Sequence, residues 1–136
     1  MPTIRPALAS DVSAVLALWR DADAEPTHTD DEASLSKLIE YDPGSLVLAE
    51  SNGRIVGSII AAWDGWRGSI YRLVVAREER RRGLGRRLLV EAEQRLDRLG
   101  ALRSQAIVVE SDQQATGFWR STQWHEQDER LRFVRG

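Results

Sequence analysis

The clearest pattern of apolar and polar positions in this chain runs from Ile70 to Leu99. Ile70–Val75 is a short apolar run rich in β-branched residues, which is typical of a buried strand. Arg77–Arg82 is too charged to be buried and predicts a turn. From Gly83 onward apolar residues recur every three or four positions, which predicts an amphipathic helix. The apolar stripe of this helix comprises Leu84, Leu88, Ala92, Leu96 and Leu99.

Similar patterns on either side of this unit predict further strands and helices. The predicted strands are Thr3–Pro6, Ser45–Glu50, Arg54–Trp63, Ser104–Glu110 and Trp124–Val134, and the predicted helices are Val12–Arg20, Glu32–Glu40 and Asp112–Thr122. Because a helix connects Ile70–Val75 to the strand at Ser104, these two strands should be parallel. The order β-α-α-β-β-β-α-β-α-β predicts an α/β (α+β) fold with a mixed, mostly antiparallel sheet and one parallel pair.

The composition limits the classes of protein to which the chain can belong. Its 136 residues suit a single domain over residues 1–136, and 42% hydrophobic with 29% charged residues is typical of a globular protein. Without cysteine there is no disulfide framework and no thiolate nucleophile, and two histidines give no expectation of a metal site. No signal peptide or membrane-spanning run is seen, so we expect a soluble, cytoplasmic protein without a membrane partner. The sequence leaves the oligomeric state open between monomer and homodimer.

Two segments carry most of the charge asymmetry. Asp21–Glu32 contains six acidic and no basic residues, whereas Arg77–Arg87 contains six arginines and two glutamates. The basic segment suits an anionic ligand and the acidic segment a cationic one, although either segment can simply be a solvated loop. A nucleic-acid surface is the weakest interpretation, because the net charge is −2 and no aromatic residues interleave with the arginines.

The turn before the central helix has the composition of a phosphate-binding loop. The first turn of a helix leaves several backbone N–H groups without intrahelical partners, and glycine lets a bulky anion approach them. Two standard phosphate-binding patterns do not fit. The Walker pattern ends in Gly-Lys-Ser/Thr, and the only lysine here is Lys37. The dinucleotide-binding fingerprint needs a third glycine, and position 88 is leucine. The remaining pattern is Arg-x-x-Gly-x-Gly, formed by Arg80, Gly83 and Gly85. Arginines massed at a helix N-terminus indicate a strongly negative ligand such as a pyrophosphate.

This strand, motif and helix together resemble the acetyl-CoA site of the GNAT N-acetyltransferase superfamily. The resemblance implies that Leu73, Val74 and Val75 present backbone groups to the pantetheine arm of acetyl-CoA, which binds like an added strand. It also implies that the turn holds the pyrophosphate through Arg80, Arg81, Arg82, Gly83, Leu84, Gly85 and Arg86. In the superfamily the parallel strands splay apart, and the cofactor lies in the wedge between them.

A second superfamily signature, Asn-x-x-Ala-x-x-x-Tyr-x-x-x-Gly-Phe, matches the chain in part. Ala115 matches and Trp124 keeps the aromatic character of the last position, while Asp112, Trp119 and Gln123 replace Asn, Tyr and Gly. By resemblance Asp112 and Trp119 border the cofactor. The three replacements also leave open a second function, a non-catalytic module of the same fold that binds acyl-CoA for regulation.

The segment Asp64-Gly65-Trp66-Arg67-Gly68 resembles the Asp-Gly-x-Arg-Gly loop of a bacterial GNAT subgroup, where it is expected near the mouth of the wedge. Trp63, Asp64, Trp66 and Asp31 are the candidate substrate-binding residues, with core or hairpin packing as the alternative role for the tryptophans. The implied reaction is acetyl transfer to a primary amine of a small molecule or peptide, with a cationic acceptor favoured by the acidic segment.

The amine must lose a proton before it can attack, because an ordinary ammonium has a pKa near 10. Glu110 and Tyr71 are the candidate catalytic residues, with Asp64 as a further candidate base. The absence of cysteine favours direct attack in a ternary complex over a covalent intermediate.

Overall fold

The computed structural model describes all residues from 1 to 136, which divide into two compact units, Met1–Ala106 and Ile107–Gly136. The first unit contains a five-stranded sheet with the strands in chain order. Its strands are β1 (Thr3–Pro6), β2 (Leu46–Ser51), β3 (Arg54–Trp63), β4 (Gly68–Val75) and β5 (Ser104–Ala106). The pairs β1–β2, β2–β3 and β3–β4 are antiparallel, and β4–β5 is parallel. The predicted fold class, a mixed and mostly antiparallel sheet with one parallel pair, is confirmed.

The helices of the first unit are α1 (Val12–Asp21), α2 (Glu32–Tyr41) and α3 (Leu84–Leu99), and short 3-10 turns cover Ala9–Asp11 and Arg77–Glu79. Four residues of the apolar stripe of α3 are buried, Leu84, Leu88, Ala92 and Leu96, whereas Leu99 at the end of the helix is 41% exposed. The side chains of Leu84 and Leu88 lie over Gly57 of β3. The next residue, Ser58, accepts a hydrogen bond from Trp19 of α1. Because successive residues of a strand face opposite sides, α1 and α3 cover opposite faces of the sheet.

The parallel pair β4–β5 is only three residues long, which leaves a gap beside the second half of β4. Gly68, Ser69 and Ile70 pair with Ser104, Gln105 and Ala106, so the rest of β4 has no strand on its β5 side. Gly68 starts the pair because a Cβ at this position would lie 2.6 Å from Ser104 Oγ and 2.7 Å from a methyl group of Leu96. A side chain at position 68 would therefore require the Ser104 and Leu96 side chains to move.

Two sequence-based predictions of strands are wrong. The fifth strand ends at Ala106 and does not reach Glu110, and Trp124–Val134 forms no strand. The second unit contains the expected helix, α4 (Gln113–Arg120), which begins where the Asp112 carboxylate accepts the Ala115 N–H at 3.0 Å. Leu131 and Phe133 are exposed, so their alternation with polar residues does not bury one face. A strand needs a neighbour for its backbone groups, and alternation alone does not supply one. No helix of the chain has the length and apolar character needed to cross a membrane.

Candidate functional site

The turn that follows β4 has the backbone shape of an anion-binding loop. Arg81 and Gly83 both adopt left-handed conformations, with φ of 65° and 81°. Gly83 is the residue before α3, and a Cβ built on it would meet nothing within 4 Å. No side chain caps α3, whose first backbone hydrogen bond joins Arg87 N–H to Gly83 O at 3.1 Å. The N–H groups of the first turn and the positive end of the helix dipole therefore lie at an exposed, concave backbone.

The arginines of this turn serve two different purposes. Arg80 is half-buried and turns inward, where its Nε donates to Val75 O at 3.1 Å and its Nη2 to Ala22 O at 3.3 Å. Arg80 thus fixes the turn against the end of β4 and the end of α1. Arg81, Arg82 and Arg86 are exposed beside Gly83 and Gly85. The structure therefore brings together the predicted pyrophosphate residues, with Arg80 as the one that shapes the turn.

The second half of β4 faces the gap left by the short β5. Ala76 N–H donates to Val56 O at 2.8 Å, so by strand alternation the backbone groups of Val75 point away from β3. Its carbonyl accepts the Arg80 hydrogen bond, and its N–H lies on the same side. Leu73 and Val74 complete a segment that is half-buried and offers one edge for an added extended chain.

A β-bulge interrupts β4 before this segment. The register with β3 shifts between Ser58 and Ile60, and Arg72 adopts a φ of 52°, which is uncommon outside glycine. The Ser58 hydroxyl donates to Arg72 O at 2.8 Å. The bulge was not predicted, because the sequence around Arg72 differs from an ordinary strand only by one charged residue.

The acidic segment between α1 and α2 is largely occupied by internal contacts. Asp30 pairs with Arg72, and Asp23 pairs with Arg77. Asp31 accepts the Ser34 N–H at 2.7 Å as the cap of α2, and this bond holds the pKa of the Asp31 carboxyl below its usual range. The predicted substrate-binding residue Asp31 thus has a structural contact in the structure.

The turn between β3 and β4, Asp64–Arg67, does not lie where the sequence analysis expected it. It directly precedes Gly68, so it lies at the end of β4 that is paired with β5. The length of β4, ~23 Å, separates it from the basic turn at Arg80–Gly83. The Asp64 carboxylate accepts the N–H groups of Trp66 at 2.8 Å and Arg67 at 2.7 Å, which lowers the pKa of Asp64. Trp63 and Trp66 line a cavity of about 490 Å³ with Arg67, Leu99, Leu102 and Arg103, among others. The prediction that this turn lies near the mouth of the wedge is therefore wrong.

The two candidate catalytic residues lie in different units. Tyr71 is 48% exposed and follows the last residue of β4 that pairs with β5, so it stands where the gap begins. Glu110 lies in the second unit, exposed and four residues beyond the end of β5. In that unit the Trp119 ring packs edge-on against Phe118 and Trp124, with centroids 5.6 and 5.0 Å away.

Comparison with known proteins identifies the family. An acetyltransferase of Pectobacterium atrosepticum is 31% identical over 118 residues, which cover 87% of this chain and 84% of that protein. The PaiA N-acetyltransferase of Thermoplasma acidophilum, solved with coenzyme A, shares the fold with a TM-score of 0.78 at 16% identity, covering 88% of this chain and 87% of that one.

A second solved structure extends the likeness over the full chain. The acetyltransferase AAC(6')-Iy, solved with a bisubstrate analogue, has a TM-score of 0.75 at 15% identity and covers 100% of this chain and 98% of that one. The model of the acetyltransferase (GNAT) family matches residues 13–123. The chain belongs to the GNAT family of acetyltransferases.

Proposed function

We propose that this acetyltransferase uses acetyl-CoA to acetylate a primary amine by direct attack within a ternary complex. The observation that carries the proposal is the uncapped N-terminus of α3 behind the left-handed Arg81 and Gly83, beside three exposed arginines. This arrangement fits a pyrophosphate, because it offers converging N–H donors, positive charge and no side chain in the way. Relatives solved with coenzyme A or a CoA-linked analogue support the same cofactor.

The residues that would hold the cofactor divide by chemistry. Backbone N–H groups from Gly83 to Arg86 would hold the pyrophosphate, and the exposed side chains of Arg81, Arg82 and Arg86 would neutralise its charge. The edge of Leu73–Val75 would hold the pantetheine arm through the backbone groups that face away from β3. Acetyl-CoA supplies the activated thioester carbonyl. Asp112 and Trp119 are the cofactor-binding residues proposed for the second unit.

Tyr71 is the preferred candidate for moving the proton of the amine or of the departing thiol. It stands beside the gap in the sheet, and its hydroxyl can donate or accept a hydrogen bond. Glu110 remains the carboxylate candidate for the base. Asp64 is the poorest candidate, because its lowered pKa makes it a weaker base and two backbone N–H groups already occupy it.

The acceptor is proposed to be a cationic amine. AAC(6')-Iy was solved with an analogue of an acetylated amine, which supports an amine substrate for this fold. In the acidic segment, Asp21 and Glu25 stay exposed and can attract a cation, whereas Asp30 and Asp31 are engaged in internal contacts. Trp63 and Trp66 are proposed to bind substrate at their own cavity. The Asp-Gly-x-Arg-Gly turn supports the proposal that the chain belongs to the bacterial subgroup that carries this turn.

Thermal unfolding with acetyl-CoA tests the cofactor assignment. The ligand should raise the melting temperature, because it binds only the folded protein. Gly85→Glu should remove this increase by placing a side chain and a negative charge at the pyrophosphate site. An unchanged acetyl-CoA affinity in the variant would overturn the assignment.

Release of CoA thiol then tests catalysis with spermidine, a basic N-terminal peptide and an acidic N-terminal peptide. Turnover of the basic amines in preference to the acidic peptide is the expected result. Binding of acetyl-CoA without turnover of any amine would favour a regulatory module over an enzyme.

A further inference from the structure

Arg72 is the residue at which the acidic segment and the cofactor strand meet. Its backbone forms the bulge of β4, one residue before the proposed pantetheine-binding edge. Its side chain crosses to the segment between α1 and α2, so that one residue touches both sides of the proposed reaction. The Arg72 and Asp30 side chains keep only 16% and 17% of their surface exposed.

Arg72 contacts the loop through one guanidinium nitrogen, Nη2. Its Nη2 donates to Glu25 O at 2.7 Å and to the Asp30 carboxylate, and Thr27 Oγ1 lies 3.5 Å away. Asp30 also accepts the Thr27 N–H at 3.0 Å. The loop is therefore folded around the tip of Arg72, with a backbone carbonyl and a carboxylate as its two principal acceptors.

Trp19 of α1 contacts Arg72 on its other side. The Arg72 guanidinium carbon lies 5.2 Å from the ring centroid of Trp19. The indole N–H of Trp19 donates to the buried Ser58 hydroxyl at 2.9 Å, and this hydroxyl donates to Arg72 O. Trp19 thus supports the side chain of Arg72 through its ring and the backbone of Arg72 through Ser58. The loop, α1 and the bulge are therefore joined by one continuous set of contacts around Arg72.

We infer that Arg72 is a positioning residue that couples the order of the α1–α2 loop to the bulge of β4. The inference rests on the proposed function, in which the acidic loop attracts the cationic acceptor and the bulge precedes the pantetheine-binding edge. A disordered loop would then reduce use of the acceptor while the pyrophosphate turn stays intact. Lysine cannot replace arginine here, because an ammonium offers no planar face to the ring of Trp19.

Hydrogen exchange without any ligand tests the coupling itself. Asp30→Asn changes only the loop end, yet amide exchange at Arg72–Val74 should accelerate about fivefold or more, together with that of the loop. Asp23→Asn is the matched control in the same loop, because its exposed ion pair with Arg77 lies away from the bulge. Acceleration confined to the loop in Asp30→Asn, or equal acceleration at the bulge in both variants, would overturn the inference.

Steady-state kinetics with spermidine test the consequence for the reaction. Arg72→Lys should lower kcat/KM for spermidine about tenfold and change the CoA dissociation constant less than threefold, because the pyrophosphate turn is untouched. Arg95→Lys is the control for lost stability, since Arg95 is equally buried and binds Asp42 at 2.6 Å and Ala61 O at 2.8 Å. Equal losses in the two variants would show that Arg72 is merely structural. If no amine is turned over, the proposed function fails while the exchange result still decides the coupling.

Discussion

The two turns at either end of β4 have similar compositions, but only one of them binds its backbone N–H groups with a side chain of its own. The turn at Asp64–Arg67 contains one carboxylate, a glycine at φ 91° and an arginine, and the turn at Arg80–Gly83 contains a glycine at φ 81° and three arginines. In the first turn Asp64 accepts two backbone N–H groups, and the Arg67 guanidinium lies 4.0 Å from the centroid of the Trp66 ring. In the second, no side chain caps α3.

This difference separates a turn whose backbone donors bind a carboxylate of the same chain from a turn that we propose is completed by a ligand. Asp64 supplies within the chain the negative charge that the basic turn would receive from a pyrophosphate. Arginines and glycines therefore do not by themselves mark an anion site. What distinguishes the second turn is that its backbone donors lie at a helix N-terminus that no side chain caps, although the Glu79 carboxylate lies 3.8 Å from Arg82.

The largest effect is expected from placing an aspartate in each turn. Gly83 and Gly65 both have positive φ and open space where a Cβ would lie, so Gly83→Asp and Gly65→Asp carry similar backbone strain. Gly83→Asp should weaken CoA binding about a hundredfold, close to 2.7 kcal/mol, because the new carboxylate competes with the ligand. Gly65→Asp should leave CoA affinity within about twofold. Calorimetric titration checks both, and equal losses would erase the distinction between the turns.

A smaller effect is expected from the exposed arginines. The double variant Arg81→Gln/Arg82→Gln should weaken CoA binding about tenfold at low salt and less at high salt, since exposed charges are screened. Arg67→Gln, at the other turn, removes an arginine that lies over Trp66 and should not alter the salt dependence. An affinity of the double variant that is insensitive to salt would show that these arginines do not contact the phosphates.

How much the sequence could predict differs between the two turns. Strand, turn and helix followed from the apolar pattern around the basic turn, because burial imposes periodicity on local sequence. The role of Asp64 could not be predicted from the sequence, because an aspartate in a turn can bind a substrate or the backbone of its own turn equally well. The absence of a strand at Trp124–Val134 and the contact between Arg72 and Asp30 depend on residues distant in the chain, which local pattern does not reveal. The prediction of one domain over residues 1–136 stays a prediction.

Removal of the internal carboxylate should affect stability and not cofactor binding. Asp64→Ala leaves the N–H groups of Trp66 and Arg67 without their acceptor, and we expect a fall in melting temperature of a few degrees with unchanged CoA affinity. A loss of CoA affinity in Asp64→Ala at constant melting temperature would instead assign Asp64 to the ligand site.

The smallest effect is the pH dependence of this contribution. The pKa of Asp64 is lowered in the folded protein, so its stabilisation is present above the ordinary aspartate pKa of about 4 and is lost as the pH falls through the lower, folded value. The difference in melting temperature between the wild type and Asp64→Ala should therefore shrink below about pH 4. A constant difference from pH 7 to pH 2 would show that the carboxylate charge is not the cause.

The most direct measurement is a titration of the ¹⁵N-labelled protein with CoA, followed by the backbone amide resonances of both turns. The account predicts large, saturable shifts at Gly83, Leu84, Gly85 and Arg86, with the amides of Gly65, Trp66 and Arg67 unchanged. Saturable binding of CoA that leaves the resonances of Gly83–Arg86 in place would contradict it.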